Sequence, residues 1–513
     1  MSGEQPAAGH KYSEYFYNPI TMAGILIVFL VLLVEAVLWV TDHALKIDSP
    51  YFGMIMWMIL PPVLVFGVIL IPAGAWWTRR QILRNPDATV LKSLRIDFSN
   101  PVHRNTTMAF LAGIVIFLVL SSAGLYHTYH YTESVSFCGE VCHQVMKPEF
   151  TVYQTSAHAR VKCASCHIGS GAGWFAKSKI SGSYQVYAVL MGKYPRPIPT
   201  PIKNLRPAQE TCEQCHWPQQ FYSPKERTYP HFKSDEKNTP APTRVIVNVG
   251  GGIVGKSQTG IHLHMNINHL IEYIPKDESR EEIVWVRSTD RVTGEVKEFR
   301  SASAPPSDSD LALARVRRMD CMDCHNRPAH KFASPQAAVN DALEAGALDR
   351  GLPYIKREAV KSLDREYAAA PQAMSGIAAH LRDFYAESYP DLARGDPKRV
   401  TAAILAVQEL YKKSQFPEMR ASWKSYPDHI GHLNSPGCFR CHNDDLVSTG
   451  NHGKKMTRDC NTCHSFLKLV GEGGVAVAQR YTSADEYDHP GDVGDMWKET
   501  NCHECHKGGA ELY

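Results

Sequence analysis

Net charge is nearly missing from this chain. Its 55 Lys and Arg against 52 Asp and Glu leave a formal +3 across 513 residues, which gives no electrostatic footing for binding nucleic acid. Signs of disorder are missing as well, since 44% of residues are hydrophobic, 21% are charged and the mean hydropathy is −0.27. The length allows roughly three or four domains. Cysteine is neither scarce nor dense: 14 copies are too many for a reduced cytosolic enzyme and too dispersed for a disulfide-built miniprotein. Their spacing therefore has to decide between pairing, metal and cofactor.

Three long apolar runs, residues 20–40, 52–75 and 108–126, are each about as long as a helix needs to cross a bilayer. Glu35 is the one charge inside them, and Pro61 and Pro62 are expected to kink the second. The connection 76–107 carries Arg79, Arg80, Arg84, Lys92, Arg95 and Arg104, whereas 41–51 carries Lys46 alone. The positive-inside rule then puts the N-terminus and 76–107 in the cytoplasm and everything after Tyr126 outside. No basic n-region precedes the first run, so it is expected to be a retained anchor rather than a cleaved signal.

The cysteines fall in seven motifs: Cys138 and Cys142 before His143, Cys163 and Cys166 before His167, Cys212 and Cys215 before His216, Cys321 and Cys324 before His325, Cys438 and Cys441 before His442, Cys460 and Cys463 before His464, and Cys502 and Cys505 before His506. Six read CxxCH and the first reads CxxxCH. This is the pattern of c-type haem attachment, in which two thiols bond the porphyrin and the adjacent imidazole lies under the iron. From this composition CxxCH is expected by chance about 0.02 times. Zinc does not require a histidine after every second cysteine, and disulfides do not require histidine at all. Seven covalent haems are expected, with no cysteine left over.

An electron-transfer haem takes a second axial ligand, and fourteen further histidines follow Tyr126. His158, His330, His432 and His489 lie in loops near motifs. His264 or His262 joins them, because GIHLHMNI alternates like a strand and would turn both rings to one face. His231, His269, His380 and His452 are weaker candidates. The apolar runs contain no histidine, which argues against a b-type haem held between membrane helices. Electrons from a lipid-soluble donor would go directly to a c-type haem near the outer surface, and the first motif begins only twelve residues past the third run.

Residues 105–220, with the third apolar run followed by FCGEVCHQVMKPEF, YQTSAHARVKCASCHIGSG and YPRPIPTPIKNLRPAQETCEQCH, resemble the NapC/NirT/NrfH family of membrane-anchored multihaem quinol dehydrogenases. CMDCHNRPAH and PGCFRCHND look like the longer members of that group. The resemblance implies oxidation of menaquinol at the outer face of the bacterial cytoplasmic membrane, entry at the first haem, and a periplasmic cytochrome or terminal reductase as acceptor. It also implies a methionine ligand near the first motif, where this chain has Met146, and a lysine with an acidic residue near the quinol. Lys177 and Lys179 fall in that stretch, with Gln185 where an acid is expected. His127 and His130 are alternative bases beside the membrane. The first two spans exceed the pattern of the smallest family members and are expected to dock other membrane subunits.

The expected fold is thus a membrane-anchored multihaem cytochrome c, mostly α with low regular content. Its parts are a cytoplasmic N-terminus (1–19), a three-helix anchor (20–126), a module for haems 1–3 (127–220), a β-containing insertion (221–320), haem 4 with a helical spacer (321–420) and a module for haems 5–7 (421–513). Gly250 to Ser257 satisfies the phosphate-loop pattern, but an alternating run follows it rather than a helix. Two other functions stay open: wiring subunit of a larger respiratory complex whose quinol site is in another chain, and haem-based oxyanion reductase, although that chemistry often uses CxxCK and none occurs.

Overall fold

The computed structural model describes residues 15–45, 60–84, 98–141, 143–168, 172–202, 207–220, 223–250, 260–265, 267–450, 453–470, 477–480, 489 and 493–510. It divides into two compact units, Met1–Phe137 and Cys138–Tyr513.

The first unit holds α1 (Pro19–Leu45), α2 (Leu60–Arg84) and α3 (Pro101–Thr132). Among the described residues two stretches are long and apolar enough to cross a membrane, Pro19–Leu38 and Leu60–Arg84. Small residues let α1 and α2 approach: a Cβ on Gly24 would meet the Gly67 carbonyl at 2.8 Å, and Thr21 Oγ1 donates to the Ile71 carbonyl at 3.2 Å. Ile25, Phe29, Leu33, Val65, Phe66 and Ile69 point outward and stay exposed, the arrangement expected of helices whose solvent is lipid. α2 corrects two expectations. It continues nine residues past the expected end at residue 75, so Arg79, Arg80 and Arg84 extend a helix rather than a loop. Pro61 and Pro62 occupy its first turn, where a missing N–H is harmless, and the interior proline is Pro72. Residues 52–59 lie outside the described residues. The expected third span falls within α3, which is continuous helix.

In the second unit α4 (His143–Gln154) and α5 (Ala172–Leu190) are followed by two antiparallel sheets. The strands are β1 (Lys225–Tyr229), β2 (Thr243–Val247), β3 (His269–Pro275), β4 (Ile283–Asp290), β5 (Val296–Ser301), β6 (Arg317–Arg318), β7 (Leu446–Ser448), β8 (His464–Val470) and β9 (Val477–Arg480). One sheet runs β1-β2-β8-β9 and the other β6-β3-β4-β5-β7. Strands from 225–318 and from 446–480 thus share both sheets. The run IHLHM, expected as a strand, is instead a 3₁₀ helix, Ile261–Met265.

The cysteine-free stretch is helical as expected: α6 (Pro335–Glu344), α7 (Ile355–Asp364), α8 (Ala370–Ser388) and α9 (Pro397–Ser414). Their apolar faces form the largest core, with Leu352, Ile355, Leu363, Ile377, Leu381 and Val407 fully buried. Buried Lys356 donates to the Phe232 carbonyl, and buried Asn238 donates to Leu352 O at 2.8 Å, which pins 232–238 to this bundle. Two smaller clusters, around Phe416 and around Tyr273, serve the rest of the unit.

Candidate haem sites

Each motif is a short turn. The N–H of His216, His325, His442 and His506 donates to the carbonyl of the first cysteine of its own motif at 2.8, 2.8, 3.0 and 2.8 Å. One turn of this kind gathers both thiols and the imidazole on one side. The expected attachment cysteines are not equally enclosed. Among the described ones Cys166, Cys215 and Cys505 are exposed, whereas Cys138, Cys163, Cys212, Cys321, Cys324, Cys438, Cys441, Cys460, Cys463 and Cys502 are half-buried. The three exposed thiols are all second cysteines of their motifs, on turns that lie at the surface of the fold. Cys505 follows exposed Glu504 in the short turn Cys502–Cys505. A thiol in that position is open to form a thioether and is not spent on packing the protein core.

The intervening residues are also used. Asp323 of CMDCH closes a capping box with Asp320 and accepts from Tyr273 Oη at 2.5 Å, Arg317 Nε at 3.1 Å and Arg280 Nη1 at 3.5 Å. Arg440 of CFRCH donates to the Asp323 carbonyl and, at 3.0 Å, to the Arg280 carbonyl. The fourth and fifth motifs are thereby locked together by residues that sequence reasoning had treated as spacers.

Six motif histidines face a second imidazole. The ring centroids of His167 and His330 are 6.2 Å apart, His216 and His158 6.0 Å, His325 and His262 6.4 Å, His442 and His264 6.1 Å, His464 and His432 6.0 Å, and His506 and His489 6.0 Å. An iron held about 2.0 Å from one nitrogen of each ring sets the centroids roughly 6 to 6.5 Å apart. All six pairs have that spacing, so the residues present fit six-coordinate iron.

The outward nitrogens support the same reading. Nδ1 of His158, His264, His330 and His442 lies 3.0, 2.7, 3.1 and 3.1 Å from the carbonyls of Pro328, Ile261, Glu149 and Thr457. Donation from Nδ1 leaves Nε2 as the lone-pair side, and such contacts fix the orientation of a ligating ring. Burial, then the facing His330, holds His167 down to about 4. Burial followed by His325 does the same to His262, and burial followed by His464 to His432. These rings are held neutral, the form that binds metal.

The thiols place the motifs in chain order. Cys138, beside it, draws Cys163 down to about 7. The charge of Cys215 bears on Cys166, after burial and Cys163, and Cys212 hydrogen-bonds Cys321. Cys324 is pushed up to about 12 by burial and then by Cys438. Cys463 is also pushed up to about 12, by burial and then Cys438. Cys502 is raised by burial and then Cys460, with its motif partner Cys505 adding a smaller push. Every motif thus neighbours the next.

The first motif differs. Its extra residue is taken up in a π-helical turn, Phe137–Val141, a local widening often found at functional sites. Gly139 is buried there against the Phe150 ring. His143 and Met146 stand three positions apart on α4, hence on one helix face. Cys142 lies outside the described residues.

Lys177 and Lys179 sit in the first half of α5. His127 and His130 are exposed near the end of α3, the latter with Tyr126 at 4.4 Å between centroids. Of the weaker candidates, His380 Nε2 is 3.0 Å from Glu358 Oε2, and His231 is lowered to about 4 by burial, then Lys356 and His506. His452 and most of the phosphate-loop-like run are outside the described residues. His429, which the sequence did not single out, spends both nitrogens on the Asp323 carbonyl at 3.2 Å and Glu281 at 2.8 Å.

Residues 100–198 match the family model described as the NapC/NirT cytochrome c family, N-terminal region. The chain is 38% identical over 505 residues to the cytochrome c-type protein ImcH of Geobacter sulfurreducens, covering 98% of this chain and 97% of that protein. No solved structure matches it.

Proposed function

Because the chain belongs to the NapC/NirT cytochrome c family, a family of membrane cytochromes with covalently bound haem, we propose that it is a seven-haem quinol dehydrogenase. Menaquinol gives up two electrons and two protons at the outer face of the cytoplasmic membrane, and a periplasmic cytochrome or terminal reductase takes the electrons. The observation that carries this reading is the set of six facing imidazole pairs, which leaves the first motif, nearest in sequence to α3, as the odd one.

When bound, the haems supply one-electron redox centres. The fourteen motif cysteines hold them as thioethers. His167, His216, His325, His442, His464 and His506 would hold the irons from their own motifs, and His330, His158, His262, His264, His432 and His489 in that order would hold them from the facing segments. His143 and Met146 serve the first site from one face of α4. Lys177, Lys179, His127 and His130 are the groups offered to the quinol and its protons. The third span is placed at 108–126, with the N-terminus cytoplasmic, the basic 76–107 segment inside and the haem unit periplasmic. Other membrane subunits would meet α1 and α2.

Purified full-length protein in proteoliposomes, mixed anaerobically with a reduced naphthoquinol, is expected to show haem reduction in the visible spectrum. Reduction by dithionite but none by the quinol would overturn the proposal.

A further inference from the structure

We infer that α5 lies on the bilayer surface and holds the haem-bearing unit against it, its apolar face occupied by the headgroups and upper acyl chains of anionic phospholipid. The inference rests on the membrane anchoring of this chain and not on its quinol chemistry.

α5 has one face toward protein and one that is exposed among the described residues. Ala188 is buried, and Val189 packs on the cluster that contains Val145 and Val152. Across the helix from Val189, Ile180, Tyr184, Tyr187 and Met191 are 75%, 67%, 47% and 58% exposed. Their spacing of 4, 3 and 4 residues puts all four in one narrow stripe, and Met191 continues the helix through its N–H to the Tyr187 carbonyl at 3.0 Å.

The stripe exposes on the order of 500 Å² of mostly apolar side chain, the size of the largest and often functional patch on a monomer yet short of the roughly 800 Å² per partner of a stable protein interface. Lipid needs no matching shape.

Charge selects the same occupant. From Phe150 to Gln209 the sequence has no Asp or Glu, and it carries Arg160, Lys162, Lys177, Lys179, Lys193, Arg196, Lys203 and Arg206, although the whole chain is balanced to within +3. Lys193 Nζ donates to Tyr187 Oη at 3.0 Å and lies 5.4 Å from the ring centre, so a cation and a phenol share the end of the stripe. Tyrosines over an aliphatic face with cations at its end are the composition of a helix lying in an anionic interface.

The test uses the holoprotein in phosphatidylethanolamine and phosphatidylglycerol vesicles doped with a phospholipid carrying a diazirine high on its acyl chain. After illumination, labelled peptides are mapped by mass spectrometry. Label is expected on α1, α2 and residues 180–191, and not at Val292 or Leu405, which are 71% and 57% exposed elsewhere. Label on α1 and α2 with residues 180–191 as blank as Leu405 overturns the inference, as does crosslinking of the stripe to protein instead of lipid. Ile180→Glu with Tyr184→Glu, both at exposed positions, is expected to cut the α5 label at least fivefold with haem content unchanged. An unchanged label overturns the inference as well. Naphthoquinol-dependent haem reduction in the same vesicles is read separately: a labelled α5 without reduction sinks the quinol proposal alone, and reduction with a blank α5 sinks this one alone.

Discussion

The 3₁₀ turn Ile261–Met265 offers the sharpest test of the ligand assignment, because it presents two histidines to two different motifs. His264 Nδ1 is 2.7 Å from the Ile261 carbonyl, and its ring faces His442 at 6.1 Å, while His262 faces His325 at 6.4 Å. His264→Ala should therefore open the iron on His442 and leave that on His325 closed, and His262→Ala should do the reverse. An opened ferrous haem takes one carbon monoxide. If the wild type binds it at the first haem alone, uptake is about one per seven haems, and each single variant adds about one more. The double variant should add two, since the two sites share no ligand. The structural cost is modest: one lost hydrogen bond is worth about 1 kcal/mol and a ring-sized void a few kcal/mol. Both haems stay tethered by their cysteines, so the pyridine haemochrome should still count seven. The assay is carbon monoxide titration of the dithionite-reduced protein, followed in the Soret band. A double variant that binds no more than either single would mean that both rings act at one iron, and would refute the assignment. Singles that open nothing would refute it too.

The remaining expectations concern what supports the sites. Glu358 takes contacts from Arg357 Nε at 2.6 Å, Lys361 Nζ at 3.4 Å and His380 Nε2 at 3.0 Å. Burial raises it, but His380, Arg357 and the Lys361 charge outweigh burial and hold it at about 2. Its folded value lies below the unfolded one, so its contribution is present above about pH 4.5 and is lost as pH falls toward 2. Glu358→Gln should cost on the order of 3 kcal/mol at pH 7, and the thermal transitions of variant and wild type should converge near pH 2; a gap that persists there would refute the account. Asp323→Ala removes the acceptor of Tyr273, Arg317 and Arg280, a loss of about 3 to 5 kcal/mol. It should lower haem occupancy at the fourth and fifth motifs by intact mass, and full occupancy with wild-type stability would count against the lock between them. Gly139→Ala drives a methyl into the Phe150 ring at a cost of about 1 to 3 kcal/mol. It should perturb the electron paramagnetic resonance signal of the first haem, with recovery on adding Phe150→Ala; an unaltered signal would show the contact to be slack.

The seven motifs were legible in the sequence because each is local: two thiols and an imidazole within one turn need no tertiary information. What spacing does not carry is how far the fold encloses each thiol, so nothing in it separates exposed Cys166, Cys215 and Cys505 from the half-buried rest. The histidines that face the motif imidazoles were legible as a set but not as pairs. His158 precedes the second motif yet faces the third motif's His216, and His330 follows the fourth yet faces the second motif's His167. His262 and His264 were misjudged for a definite reason. Alternation in a strand puts i and i+2 on one face, whereas in a 3₁₀ helix residues two apart lie about 240° apart, which is what lets them serve different motifs. The sheets were half visible: β2, β4 and β5 follow the expected strands, but β7 is only three residues long, and the partners of β7 and β8 lie far back in the chain. α2 outran its apolar run because Arg79, Arg80 and Arg84 extend a helix as readily as they populate a loop. Nothing in the spacing marked Asp323 or Arg440, since the motif leaves those positions unspecified.

The contrast between a sequential line of motifs and a crossed set of ligands bears on how the second unit holds together. Neighbouring thiols join the motifs first to last in chain order, which alone would give a string of separable beads. The imidazoles run across that order. The second site is closed from beyond the fourth, the third from before the second, the fourth and fifth from one turn ahead of both, and the sixth from before the fifth. Outside the α6–α9 bundle the apolar clusters are small, too small to bind these segments by side-chain burial alone. On the proposed ligation, six of the seven irons each tie two stretches of chain as well as completing their own coordination, so the wire and the scaffold are one set of bonds. A single distal substitution removes one tie among six, which is why His264→Ala is expected to open an iron without unfolding the unit.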